Sequence, residues 1–213
     1  FAKLSTSTQI AEETAKISLS KPGLIITISR EHGAGGREIA FELAKKSNHW
    51  SILMECYYYG RGTAKDYNKA YECFEKTSSG GNIDVLNSLG CHFDSQKEYS
   101  KSFELFERAA EQGNSTAQYN LGLYYEHGKG ATENPYKAFE WYKKSADQNY
   151  AKAQYRLGIC YEHGNGIIQS WDKAFEWYNK SAEQGESNAQ YRLGLCYEKG
   201  KGTEKNAENA FNW

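Results

Sequence analysis

Two adjacent pairs, Glu126-His127 and Glu162-His163, set a carboxylate beside an imidazole at positions 36 residues apart. That pairing is raw material for acid–base or metal chemistry. Adjacent side chains on a helix diverge by about 100°, so the two members of a pair do not converge readily on one ion. The third copy reads Glu198-Lys199, which removes the second donor. No metal, cofactor or catalytic residue is therefore expected, and bare repetition accounts for the pairs. The five cysteines, Cys56, Cys73, Cys91, Cys160 and Cys196, form no CxxC pair. Cys160 and Cys196 share one repeat position, so copying explains their spacing better than zinc or disulfide geometry. The remaining candidate is the glycine run His32-Gly33-Ala34-Gly35-Gly36. It lies between an apolar stretch and a helical pattern, the layout of a phosphate-cradling turn.

The elements around that turn are short. Leu24-Ile25-Ile26-Thr27-Ile28-Ser29 is rich in β-branched residues and predicts a buried strand. Arg37 to Lys46 predicts a helix with Ile39, Ala40, Leu43 and Ala44 on one face. A phosphate loop asks for Gly-Lys followed by Ser or Thr, whose hydroxyl holds magnesium. Here Gly36-Arg37-Glu38 stands instead, and a lone strand has no sheet to join. The helix then reads as a cap on the first repeat unit beyond it, and the strand as disordered or paired with another chain. Residues 1–21 carry Ile10, Thr14 and Ile17 at helical spacing, which leaves a weak amphipathic helix and disorder both open.

Beyond residue 47 the chain repeats itself. Ala117-Gln118-Tyr119-Asn120-Leu121-Gly122 returns at 153–158 and again at 189–194, a fixed period of 36. Within one period, Ala117, Leu121 and Tyr125 form an i, i+4, i+8 stripe that ends at Gly128-Lys129-Gly130. Asn134 and Pro135 then read as cap and first turn of a second helix, whose stripe is Ala138, Tyr142 and Ala146. Gly122 inside the first helix costs about 1 kcal/mol against alanine, so its recurrence predicts close approach of a neighbouring backbone. Decayed copies extend the array back to about residue 48, one of them shortened by four residues in the loop. Four full units begin near Asn48, Asp84, Thr116 and Lys152, and a fifth begins near Asn188.

Composition agrees with a folded array. The sequence has 213 residues, of which 39% are hydrophobic, ample for a core and against disorder. A net charge of −1 gives no electrostatic reason to expect nucleic acid or an anionic membrane as partner. The apolar run Leu24 to Ile28 is far short of a membrane span. No leader pattern opens the chain at Phe1, and a reduced, cytoplasmic setting is the default expectation. Because the last copy breaks off at Trp213, the chain is expected to be a piece of a longer one, from which a leader could be missing.

The string Ala-x3-Leu-Gly-x2-Tyr-x2-Gly-x-Gly, followed by Lys-Ala-Phe-x-Trp-Tyr-x-Lys-Ser-Ala, resembles Sel-one-like repeats, relatives of the tetratricopeptide repeat. The resemblance implies an all-α fold, a right-handed superhelical solenoid of antiparallel helix pairs, serving as a non-enzymatic adaptor or scaffold for protein or peptide. In such a stack the first helices line the concave face. By resemblance the inward positions are Thr116, Tyr119, Leu123, Glu126 and His127 in one unit. The next unit has Lys152, Tyr155, Ile159, Glu162 and His163, and the last has Asn188, Tyr191, Leu195, Glu198 and Lys199. Their spacing does place each set on one helical face. Tyrosine there suits peptide recognition, although Tyr119, Tyr155 and Tyr191 could equally pack between first helices.

Separately, residues 26–39, Ile-Thr-Ile-Ser-Arg-Glu-His-Gly-Ala-Gly-Gly-Arg-Glu-Ile, resemble the opening of the cytidylate-kinase-like family. That resemblance implies that Gly33, Gly35, Gly36 and Arg37 would face nucleotide phosphates. The alternative function is then a remnant of a nucleotide kinase carrying a repeat arm. No kinase body comes after it, so a nucleotide is not the expected ligand. The sequence thus divides into an N-terminal segment (1–21), a strand–glycine loop–helix segment (22–46) and the repeats (47–213).

Overall fold

The structure, a computed structural model, describes residues 34–77 and 81–213. Throughout these residues the chain is helical, with no strand. The elements are α1 (Ala34–Lys46), α2 (Trp50–Tyr59), α3 (Tyr67–Lys76), α4 (Ile83–Ser95), α5 (Tyr99–Glu111) and α6 (Ser115–His127). They continue as α7 (Pro135–Asp147), α8 (Ala151–His163), α9 (Trp171–Glu183), α10 (Ser187–Lys199) and α11 (Ala207–Asn212). Two compact units divide the chain between Val85 and Leu86, inside α4.

The segment 1–21, the strand expected at 24–29 and Gly33 lie outside the described residues. Gly35 and Gly36 do not: both fall in the first turn of α1, so the expected glycine loop is corrected to helix from Ala34 onward. Ala40, Phe41 and Ala44 form a buried stripe on α1. Packing of that stripe outweighs a helix-propensity cost of about 1 kcal/mol per glycine. Arg37, with its side chain exposed, turns its backbone carbonyl to Gly62. That contact is too close for any side chain at position 62, and φ there is +71°.

The same contact recurs in the second unit and explains the second glycine of every Gly-x-Gly loop. A Cβ at Gly130 would lie 2.6 Å from the Tyr99 carbonyl oxygen, and one at Gly166 would collide with the carbonyl of Pro135. Each loop therefore seats its backbone on the start of the preceding second helix. The second helices open on side-chain caps: Asn134 accepts from the Lys137 amide at 3.0 Å and Ser170 from Lys173 at 3.4 Å. Three residues join α4 to α5 where seven join α6 to α7, which is the four-residue shortening read in the sequence.

The helical glycines have a different cause from the one expected. At Gly122 and Gly158 the neighbour is an aromatic side chain rather than a backbone: a Cβ would meet Cε1 of Tyr142 or Tyr178 at 2.5 Å. Both tyrosines are fully buried. The missing Cβ is the space in which the second helix inserts its ring. Around these rings, Ala138, Ala146, Leu121 and Leu157 fill the core, while Ser145 and Ser181 hydrogen-bond the carbonyls of Ser115 and Ala151 at 2.7 and 2.8 Å.

Candidate interaction face on the first helices

In the second unit, α6, α8 and α10 are equivalent first helices, each 13 residues long and closed by a left-handed glycine. Their predicted face residues separate into three groups. Leu123, Ile159 and Leu195 are half-buried at one level, and His127, His163, Glu198 and Lys199 stand exposed at the C-terminal ends. Thr116 is half-buried, whereas Lys152 and Asn188 are exposed.

The tyrosines form the second group and divide between the two readings. Tyr119 is half-buried, its ring 6.0 Å from Tyr142 and 5.4 Å from Tyr150. Tyr155 is likewise half-buried, 6.0 Å from Tyr178 and packed with Ile159 on the core formed by Ala174, Leu193 and their neighbours. Tyr191 is 66% exposed. It borders a hollow of about 740 Å³ shared with Leu195, Glu198, Phe211 and Trp213. Above Gly194 the nearest atoms are the Ala210 carbonyl and Trp213, where Gly158 has the Tyr178 ring.

The glutamates are the third group, and their geometry is the main surprise. Glu162 is buried. Its Oε2 accepts the Tyr178 hydroxyl at 2.5 Å, and its Oε1 takes Arg192 Nη1 of the next unit at 3.0 Å. Glu126 repeats the arrangement one unit earlier, accepting the Tyr142 hydroxyl and pairing with Arg156 at 3.3 Å. Both oxygens of each carboxylate are engaged, with the Glu162 side chain 10% accessible and that of Glu126 29%. Each ties its own second helix to the following first helix. Burial, reinforced by the glutamate beside it, pushes the Tyr142 and Tyr178 phenols far up from their usual range, so both stay protonated donors. In the copy before, Asp94 takes the place of glutamate and lies 2.7 Å from the Tyr124 hydroxyl and 3.7 Å from Lys129.

Arg156 and Arg192 were missed in the sequence. They are half-exposed, with side chains 28% and 34% accessible. The signal was their shared repeat position, where the earlier copy has Asn120, which reaches Asn87 at 3.4 Å. His163 comes within 3.8 Å of Glu162, but no group of three His, Cys, Asp or Glu able to hold a metal forms among the described residues. Nor is any described helix long and apolar enough to cross a membrane.

The comparisons agree with this architecture. The Sel1 repeat family matches residues 40–82, 89–114, 115–150, 151–186 and 187–213. No residue before 40 is matched, so the kinase-like opening gains no support. Among solved structures, one similar to this chain is the crystal structure of c5321, a protective antigen present in uropathogenic Escherichia coli strains displaying an SLR fold. The two are 26% identical with a TM-score of 0.68, over 83% of this chain and 39% of that one. A Sel1 repeat protein from Oxalobacter formigenes is 25% identical with a TM-score of 0.67, over 83% of this chain and 81% of that one. No curated protein matches the chain. The matches indicate no enzymatic family.

Proposed function

Since this chain belongs to the Sel1 repeat family, whose members are protein-interaction scaffolds, we propose that it binds a protein or peptide segment along the exposed face of α6, α8 and α10. The observation that supports this reading is the register of Leu123, Ile159 and Leu195 beside Tyr119, Tyr155 and Tyr191. Apolar and aromatic groups half-open to water recur there every 36 residues. A periodic face of this kind suits an extended or helical segment that makes the same contact several times. Tyrosine contributes contact area at low cost in side-chain entropy. The reading assigns no catalysis and no cofactor to the chain.

Site-specific photo-cross-linking tests it. A benzophenone side chain at Leu123 or Leu195 should trap the partner, whereas one at the exposed Glu176 on α9 should not. Trapping from Glu176 alone would place the contact on the second helices and overturn the reading.

A further inference from the structure

The Gly-x-Gly loops agree in their glycines and differ in the residue between them. Arg61, Lys129 and Lys201 are basic, and each leans on a neighbour. Arg61 lies over the Tyr59 ring at 4.4 Å, Lys129 reaches Asp94 at 3.7 Å, and Lys201 lies over the Trp171 ring at 3.8 Å. The loop between α8 and α9 has Asn165 instead. Its side chain is exposed, and it makes no hydrogen bond among the described residues. Asn165-Gly166 is also the single Asn-Gly step in the whole sequence. The seat on Pro135 demands glycine there, since φ is +70° and a Cβ would collide with the Pro135 carbonyl. The Gly166 amide donates to no backbone carbonyl among the described residues, whereas the Asn165 amide is held by the Cys160 carbonyl at 3.0 Å.

From these observations we propose that Asn165 is a site of spontaneous covalent modification, where the Gly166 amide displaces the carboxamide nitrogen and the isoaspartyl product lifts the loop from its seat on α7. The inference is independent of the interaction face proposed above. Water is the only co-reactant. The Gly166 nitrogen gives up its proton and attacks Cγ of Asn165, the Cγ–Nδ2 bond breaks, and ammonia carries that proton away. The five-membered imide then takes up one water, so one water enters, one ammonia leaves and nothing is oxidised. Cleavage of the new Cγ–N bond gives aspartate with the chain path unchanged. Cleavage at the backbone carbonyl routes the chain through Cβ and Cγ, which gives isoaspartate and inserts a methylene between 165 and 166. The site favours the attack because glycine crowds its own nitrogen least and neither reacting group is tied up by a hydrogen bond. The consequence follows from the seat. Where not even a Cβ fits against the Pro135 carbonyl, a lengthened chain has no room, and the new carboxylate stands where the sister loops carry a base.

The test is ageing of the intact 213-residue protein in neutral to mildly alkaline buffer, followed by trypsin digestion and mass spectrometry beside freshly prepared protein. Cleavage after Arg156 and Lys173 releases residues 157–173, in which Asn165 is the single asparagine. That peptide should exchange NH for O in mass and separate into aspartyl and isoaspartyl forms. It should do so well ahead of the peptides carrying Asn114, Asn134 and Asn206, whose side-chain oxygens cap helices. Conversion should quicken as pH rises, because the nitrogen attacks only after losing its proton. Asn165→Lys, which copies the sister loops, should abolish it. The isoaspartyl protein, separated intact, should unfold at lower urea than Asn165→Asp, which adds the charge without the methylene. An Asn165 that stays unchanged in the folded chain while converting in urea would show that the fold shields it, and would overturn the inference. Conversion of the capping asparagines at the same rate would do so too. An isoaspartyl form as stable as Asn165→Asp would overturn the lifting of the loop.

Discussion

Tyr178 of α9 donates its hydroxyl proton to Glu162 of α8 across 2.5 Å, and the other oxygen of that carboxylate holds Arg192 of α10. One acidic group thus links three consecutive helices. Tyr178→Phe leaves a buried carboxylate short of one donor, which typically costs about 1–3 kcal/mol. The expected outcome is a lower urea midpoint with an unchanged slope. Tyr142→Phe should do the same one unit earlier. Were both variants as stable as the parent, the triads would be ornaments of packing and not links.

Gly158→Ala sets two effects of opposite sign against each other. Alanine gains about 1 kcal/mol in helix propensity. Its Cβ, however, would press on the fully buried Tyr178 ring at 2.5 Å, and overpacking costs about 1–3 kcal/mol. Destabilisation should win. Gly194→Ala meets the Ala210 carbonyl at 3.2 Å and Trp213 at 3.8 Å, an ordinary contact distance, so the thermal midpoint of that variant should fall less than that of Gly158→Ala.

The loop glycines offer a cleaner contrast. Gly166 and Gly185 both have positive φ, +70° and +85°. At Gly185 nothing lies within 4 Å of a Cβ, so alanine meets only the left-handed backbone cost of about 1–2 kcal/mol. At Gly166 the same substitution also collides with the Pro135 carbonyl. Denaturant melts should show Gly166→Ala losing clearly more stability than Gly185→Ala. Equal losses would mean that the seat of loop on helix contributes nothing.

Alkaline pH should loosen the second unit. Burial pushes the Cys160 thiol up from 9.0 to about 12 and Cys196 up to about 11. A folded-state pKa raised above the unfolded value means that the folded form binds more protons in the interval between them. The contribution is whole below about pH 9 and fades as pH climbs through 11 and 12. Urea midpoints taken at pH 8 and pH 10.5 should differ, and Cys160→Ala should narrow the difference. A midpoint that stayed flat across this range would contradict the burial of both thiols.

The helix pairs, their boundaries and the shortened loop were legible because each rests on local chemistry: a capping Asn134, a left-handed Gly128, an i, i+4, i+8 stripe. The roles of Glu126 and Glu162 were not. Helical spacing puts them on the same face as Leu123 and Ile159, and only the tilt of the second helix decides that a phenol reaches them first. Arg156 and Arg192 escaped for the related reason that their partners lie 30 residues away on the preceding unit. Gly122 does mark a place of close approach, but the neighbour is a ring and not a backbone, since a missing Cβ reports the need for room and not what fills it. At Gly35 and Gly36 residue type suggested a loop, while the buried stripe of Ala40, Phe41 and Ala44 decided for helix.

The loop glycines and the glutamate–arginine links share one property: each of these contacts joins a residue to the unit next door, never further. Excising residues 151–186 would bring Arg192 to the place of Arg156 beside Glu126, and Gly202 to the seat of Gly166 on Pro135. The shortened chain would have no orphaned partner. Lengthening by a further 36 residues would be just as neutral. Such a molecule can change its reach by duplication or loss of whole units without inventing a new contact, so its length is free to vary in whole steps.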